Sequence, residues 1–552
     1  MNLAALKKAP FRLDDRALAW VRETFAVLTP AEKLGQLVVP LALDTSRENL
    51  DRFLALGVGG LFRRTMAPLA QLRAEADYLR RHSRVPLLMC GDLEFSETGA
   101  IGGAEGVSFP NQMAVAATDD PRFAATMARI AAREGRAAGY NWSLTPVVDL
   151  DLNAFNPAVN TRSFGDRASR VARFAAAYVA ALQAAGVAAC AKHWPGDGVD
   201  DRNQHFVTSV NSCELADWEK TFGRVYRAVI REGVLSIMSG HIALPAFPGA
   251  GLCPASISRE LNFDLLRGRL RYNGLILSDA SVMAGLTSQG TRAELVPRLI
   301  EHGCDMVLFT DDLELDLDYL VRARSNGRLS ARRIDEAVLR VLGLKATLGL
   351  HRAAVRSCPV RALSPARARE HLRATRACAA RAVTLVKDEP GLLPLSLVRH
   401  RRVLLIQPPL RQSPRSPQPA LRIGQLLADT GFTVENYSAE TEVHRDHFDV
   451  VIYVVADEGH ALKTSQHLDW KELHGDWRRS MERYWHDVPV VFISLGTPHH
   501  LRELPACPTM INAYSPVAAM QEAVVQALVG RIPFRGVSPV DLTDAEFGRL
   551  QK

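Results

Sequence analysis

Between residues 30 and 345 one unit keeps returning. It is a short apolar run, then a polar or glycine-containing break, then a stretch with helical character. The runs are LGQLVVP at 34–40, VGGLF at 58–62, VPLLMC at 85–90 and WSLTPVVDL at 142–150, followed by GVAACA at 186–191, VLSIMSG at 234–240, GLILSD at 274–279 and CDMVLF at 304–309. The helix ahead of the fifth run starts near Asp166 and repeats Val171, Phe174, Tyr178 and Leu182 at helical spacing. Strands covered on both sides carry continuous apolar runs. Eight such units predict an α/β fold with a (β/α)8 TIM-like barrel, and an open doubly wound sheet is the structural competitor.

The pattern changes after residue 347. HRAAVRSCPVRALSPARAREHLRATR is rich in Arg and Ala, holds two prolines and has no strand, so it reads as a linker passing into a helix. A second α/β block follows, with apolar runs at 381–387, 401–408, 448–457 and 488–496, and ends in NAYSPVAAMQEAVVQALVGRIPFRGVSPV. The predicted organisation is a barrel domain over 1–347, a linker over 348–375 and an α/β sandwich domain over 376–552. A chain of 552 residues is long enough for two cores.

Composition removes several function classes. With 47% hydrophobic and 23% charged residues, the chain has an ordinary globular balance. The formal charge of +7 is small for the length, and Arg is scattered without forming a tract, so no nucleic-acid partner is expected. The amino terminus, MNLAALKKAPFRLDDRALAW, meets acidic residues before any apolar core and does not read as a secretory signal. The apolar runs are too short or interrupted to span a bilayer, so no membrane partner is expected. Eight cysteines occur without a CxxC pair: Cys90, Cys190, Cys213, Cys253, Cys304, Cys358, Cys378 and Cys507. Reduced thiols in a cytoplasmic protein are the reading they favour, and self-association into a homo-oligomer stays open.

The polar residues change the picture most. In a parallel barrel the strand C-termini face the active site. Read that way, Asp92 and Glu94 follow the third strand, Asp149 and Asp151 end the fourth, and Arg162 lies on the loop after it. Lys192, His193 and His205 follow the fifth strand, His241 the sixth, and Asp279 ends the seventh. Asp279 could cap the helix that SVMAGL starts, yet a carboxylate there also suits attack on a sugar anomeric carbon. Lys192 and His193 can donate to sugar hydroxyls. His205, on a polar loop, is the candidate proton carrier at neutral pH. WPGDG permits a tight turn but lacks the order of a phosphate loop. The spacing of His193, Asp197, Asp200, Asp201 and His205 fits no familiar metal signature.

These blocks, in this order, resemble glycoside hydrolase family 3, and in particular its bacterial β-N-acetylglucosaminidase-like branch. NPAVNTRSFGD at 156–166, KHWPGDG at 192–198 and LSDASVM at 277–283 carry the likeness in the first domain, and RAVTLVKDEPGLLPL at 381–395 with the block at 512–540 carries it in the second. The resemblance implies a retaining, exo-acting β-glycoside hydrolase, a β-N-acetylglucosaminidase or β-N-acetylhexosaminidase, that takes a terminal β-linked sugar or oligosaccharide. It implies Asp279 as nucleophile and His205 as acid/base. Asp92, Arg162, Lys192, His193 and His241 are then substrate contacts, and no metal, nucleotide or redox cofactor is required. β-Glucosidase, β-xylosidase, glycoside phosphorylase and a catalytically weak sugar-binding protein are the alternatives.

Two departures stand out. The branch pairs its acid/base His with an Asp two residues earlier, whereas this chain has Asn203, which can orient an imidazole but cannot offer it a full charge. Asp200 or Asp201 is a candidate substitute. In GDLEFSETGAIGG, Phe95 and Ser96 replace the glycines expected after Asp92 and Glu94.

Overall fold

The computed structural model describes residues 3–95, 101–353, 355, 359–408 and 420–542; Ser96 and Cys358 lie outside them. The first domain is a closed ring of parallel strands. β1 (Val38–Val39) and β2 (Leu41–Ala42) are two halves of one strand, followed around the ring by β3 (Gly60–Arg63), β4 (Leu88–Gly91) and β5 (Trp142–Ser143). β6 (Cys190–Trp194), β8 (Ser236–Ser239), β10 (Leu275–Ala280) and β11 (Met306–Leu308) complete it. β11 pairs with β1, and two isolated parallel bridges, Trp142–Ala188 and Val147–Lys192, link the chain around β5 to the chain around β6. All eight apolar runs of the sequence are in the ring, in chain order.

The first and fourth runs differ from their expected extents. Leu34 and Gly35 close the helix Pro30–Gly35, which Thr29 and Glu32 start with a reciprocal capping box. The run 142–150 is regular only over Trp142–Ser143. Pro146 has no N–H to give to a ladder, so pairing continues irregularly, with Cys190 N donating to Thr145 O and Lys192 N to Pro146 O.

The barrel is filled and wrapped by apolar side chains. Leu88, Cys90, Cys190, Leu275, Leu277 and Met306 are inaccessible or nearly so. The helix Ala168–Ala184 buries Val171, Phe174, Tyr178 and Leu182, the face expected from its spacing. At the strand N-termini, Asp305 is fully buried among Arg267, Arg333 and Arg340.

The helix Pro365–Ala382 leads into a six-stranded sheet. Its order is β12 (Thr384–Asp388), β17 (Thr509–Asn512), β16 (Val490–Ser494), β15 (Val450–Val455), β13 (Arg402–Ile406) and β14 (Thr433–Asn436). β12 runs antiparallel to β17, and the other pairs are parallel. Apolar clusters cover both faces of the sheet.

The second domain sits on the C-terminal rim of the barrel through specific polar contacts. Asp151 pairs with His499 Nε2 at 2.9 Å, Asn160 Nδ2 donates to Thr497 Oγ1 at 3.0 Å, and Asn111 Nδ2 donates to Glu458 Oε1 at 2.6 Å. No helix among the described residues is long and apolar enough to cross a membrane, and the seven cysteines among them are free thiols.

Candidate active site

A cavity of about 340 Å³ opens at the C-terminal end of the barrel strands. Asp92, Arg162, Lys192, His193, His205 and Asp279 all line it, so six side chains separated by up to 187 positions in the chain meet in one space. Its remaining wall is largely apolar, with Leu41, Leu144, Met238 and an edge-to-face pair of Phe62 and Phe309, ring centroids 4.7 Å apart.

Asp279 ends β10 and is 7% exposed. It caps no helix, because the next one, Ala284–Thr287, starts after Met283 and takes no side-chain cap. Its Oδ1 accepts the Ala280 N–H at 2.8 Å, and its Oδ2 has no hydrogen-bond partner among the described residues. Burial pushes this carboxyl up, but the fields of His193, His241 and His205 more than offset it, and the group stays below the ordinary aspartate range. It is therefore ionised at neutral pH, with one oxygen tethered.

The opposite wall is an ion-pair cluster. Glu94, fully buried, meets Arg162 Nε at 2.5 Å and Lys192 Nζ at 3.2 Å, while Lys192 also reaches Asp92 Oδ1 at 2.8 Å. Burial opposes the Glu94 charge, yet the two cations hold its carboxyl down to about 2. Lys192 is likewise held protonated, since Asp92 and Glu94 outweigh its desolvation. The cluster thus lines the cavity with charged donors and acceptors held in fixed positions.

His193 takes its orientation from Asp149, which is inaccessible to solvent. The same carboxylate accepts the Asp197 N–H at 2.8 Å and so pins the WPGDG turn. Gly198 is needed in this turn: φ is +99°, and a Cβ would lie 1.9 Å from Leu150 O. Behind the turn, Trp194 packs edge-on against Trp218 and Tyr226.

The loop bearing His205 is fastened to other elements at two places and tied within itself at a third. The small parallel pair β7 (Ser209–Val210) and β9 (Ile242–Ala243) closes it below, and Ala284 N donates to His205 O at 3.0 Å. Asn203 Oδ1 accepts from His205 Nδ1 at 2.7 Å and from His205 N at 3.0 Å. Asp200 is engaged elsewhere, with Arg202 at 2.6 Å and the Val210 N–H at 2.8 Å, and Asp201 is exposed.

His241 departs from its expected role as a substrate contact. It is fully buried and does not line the cavity. Its Nε2 faces Ala280 O at 3.0 Å, its Nδ1 faces Ser256 Oγ at 2.8 Å, and its N–H donates to Gln204 Oε1 at 2.9 Å. Burial lowers its proton affinity, opposed by the Asp279 charge. It therefore braces the residues beside Asp279 and His205 from behind. Conversely, Arg64, Thr65 and Met66 line the cavity and were not singled out by the sequence. Their position just past β3 follows the same strand-end rule that picked the other residues. Ala461, from the second domain, also lines it, and no sequence signal pointed there.

Residues 29–344 match the family model described as glycosyl hydrolase family 3 N terminal domain. The chain belongs to glycosyl hydrolase family 3. Over nearly its whole length it is 40% identical to a β-N-acetylglucosaminidase/β-glucosidase of Cellulomonas fimi, covering 97% of this chain and 98% of that protein. The solved β-glucoside phosphorylase BglX is similar at 33% identity with a TM-score of 0.89, covering 98% and 99% of the two chains. A family 3 β-N-acetylglucosaminidase from Paenibacillus sp. str. FPU-7 is similar at 26% identity with a TM-score of 0.81, covering 94% and 99%. This family 3 member is thus an exo-acting glycosidase of β-linked sugars, with the barrel-plus-sheet architecture of its relatives. Among its described residues no group of His, Cys, Asp and Glu is arranged to hold a metal ion.

Proposed function

We propose that this enzyme releases terminal β-linked N-acetylglucosamine by double displacement, with Asp279 as nucleophile and His205 as general acid/base. The observation that carries the reading is the Asp279 carboxylate, ionised and tethered by one oxygen, in the same cavity as His205. In the first step Asp279 Oδ2 bonds to C1 as the C1–oxygen bond to the leaving group breaks. His205 gives its Nε2 proton to that departing oxygen. In the second step neutral His205 takes a proton from water, the water oxygen bonds to C1, and the ester bond breaks to restore the carboxylate. Asp92, Arg162, Lys192 and His193 would hold the ring through its hydroxyls.

The Cellulomonas fimi relative carries both an N-acetylglucosaminide and a glucoside activity in its name, so the sugar is set by a panel of aryl β-glycosides that includes the xyloside. A slow 2-fluoro glycoside should label Asp279, read by peptide mass. Asp279→Ala should lose turnover by about 10³-fold or more while keeping its fold. A label on another residue, or a turning-over Asp279→Ala, would end this reading.

Phosphorolysis is the second reading, and two features favour it. The group that orients His205 is a neutral amide, which spares an incoming phosphate the repulsion of a carboxylate. Arg64 is an exposed guanidinium on the cavity wall that makes no ion pair among the described residues. The BglX likeness supports it as well. Product analysis separates the two: glycosyl phosphate formed only when phosphate is added marks phosphorolysis, and free sugar at the same rate with and without phosphate marks hydrolysis.

A further inference from the structure

Asn203 has both amide hydrogens and the side-chain oxygen committed. Its Nδ2 donates to two backbone carbonyls of the second domain, Ala461 O at 2.9 Å and Lys463 O at 2.8 Å. With the NH₂ group so placed, Oδ1 must face His205, and an amide oxygen only accepts. The His205 Nδ1 at 2.7 Å must then carry a proton, which leaves Nε2 as the atom that gains and loses one.

The carbonyls are themselves held in place. Gly459 N donates to Thr161 Oγ1 at 3.1 Å and His460 N to Pro157 O at 3.0 Å, fastening the segment to the barrel. Within the segment, Lys463 Nζ is paired with Asp457 Oδ1, and Gln466 Nε2 donates to Asp457 Oδ2 at 2.9 Å.

We propose that residues 457–466 of the second domain act as a positioning element for proton transfer, fixing the tautomer and orientation of His205 by occupying both amide hydrogens of Asn203. The arrangement also accounts for the amide itself. An aspartate at 203 would turn a carboxylate oxygen toward two carbonyl oxygens with no hydrogen between them, a contact that only repels. The second domain thus selects Asn203 and makes the acid/base depend on domain docking.

This inference rests on His205 being the acid/base, and the test separates the two ideas. In the full-length chain, kcat/KM is measured for aryl β-glycosides of graded leaving-group acidity with His205→Ala, Asn203→Asp, Lys463→Met and Gly459→Ala. The last adds a Cβ 2.9 Å from Asn160 Cβ and lifts the segment from the barrel. Lys463→Met and Gly459→Ala should lose about tenfold or more on poor leaving groups and little on dinitrophenyl glycosides, the pattern of His205→Ala in weaker form. Asn203→Asp should show the same selective loss. If His205→Ala shows no leaving-group dependence, the acid/base reading falls and this inference with it. If His205→Ala shows it while Lys463→Met and Gly459→Ala lose activity uniformly or not at all, the inference alone falls. An Asn203→Asp enzyme faster than the parent on poor leaving groups would also overturn it. Should a variant not fold, the ¹⁵N shifts of His205 in the unmodified protein decide: a neutral ring protonated on Nδ1 supports the inference, and one protonated on Nε2 overturns it.

Discussion

The carboxylate of Asp149 grips His193 twice, with Oδ2 2.7 Å from Nδ1 and Oδ1 accepting the His193 backbone N–H at 3.0 Å. One buried group thereby fixes both the ring and the peptide of a residue on the cavity wall. On the proposed role of His193 in holding the sugar ring, Asp149→Ala should free the imidazole to turn and lower kcat/KM by about 10²-fold, because small misplacements of a positioning group are costly. Asp149→Asn keeps an acceptor for the backbone and should lose less. Steady-state kinetics on both variants, with circular dichroism to confirm the fold, checks this. A loss below about threefold in a folded Asp149→Ala protein would mean that His193 needs no such holder.

Glu94 should prove to be a stabilising residue as well as a site residue. Glu94→Gln leaves Arg162 and Lys192 buried with much of their compensation gone, a loss of about 3–5 kcal/mol for a broken buried pair. The pH dependence follows from the depressed carboxyl. Its contribution is fully present above the ordinary glutamate range, near 4.5, and is lost as pH falls toward about 2. Thermal melts should therefore show a gap between parent and variant that is widest near neutral pH and closes in acid. A gap independent of pH would mean that the ionised form of Glu94 is not what stabilises the fold.

Strand runs that are buried on both faces were legible because burial demands continuous apolar residues, as VVIYVV in β15 shows. Two strands of the second sheet were not. β14, TVEN, is an edge strand, mostly exposed, and its side chains are chosen by water. β17, TMIN, is too short to rise above the loop that follows it. In the site, Asp279, Lys192, His193 and Asp92 were readable from one rule, that strand ends carry the chemistry. Ala461 and the carbonyl of Lys463 were not, because a backbone carbonyl from another domain leaves no mark in residue identity. His241 obeyed the same strand-end rule and still lies behind the cavity, since the rule says where a residue sits and not which way its ring turns.

Asp305 predicts a separation of stability from activity. It lies just before β11, at the opposite end of the barrel from the cavity, and accepts from Arg267 and Arg333 at 2.6 Å each and from Arg340 at 3.4 Å. Asp305→Ala strands three guanidinium groups in the interior and should cost about 3–5 kcal/mol. Turnover per folded molecule should stay near the parent value, measured at a temperature well below the melt. A folded Asp305→Ala protein with greatly reduced turnover would show that the two ends of the barrel are coupled.

Asp197 should set a pH dependence of the opposite sign to that of Glu94. It is 2% exposed, its Oδ1 accepts the Gly198 N–H at 2.7 Å, and its Oδ2 has no partner among the described residues. Burial, and after it the charge of Asp149, push its carboxyl up to about 7, against the opposing field of His193. Between about 4, where an unfolded aspartate ionises, and about 7, the folded chain therefore holds a proton that the unfolded chain has released. Stability must fall as pH rises through that window and level off above it. Asp197→Asn keeps the acceptor for Gly198, removes the titration and puts a neutral NH₂ group where the unpartnered Oδ2 stood. Its melting temperature should pull ahead of the parent's as pH rises from 4 to 7, with the lead constant from there to pH 8. A lead that does not change with pH would show that Asp197 ionises no less readily in the fold than in the unfolded chain.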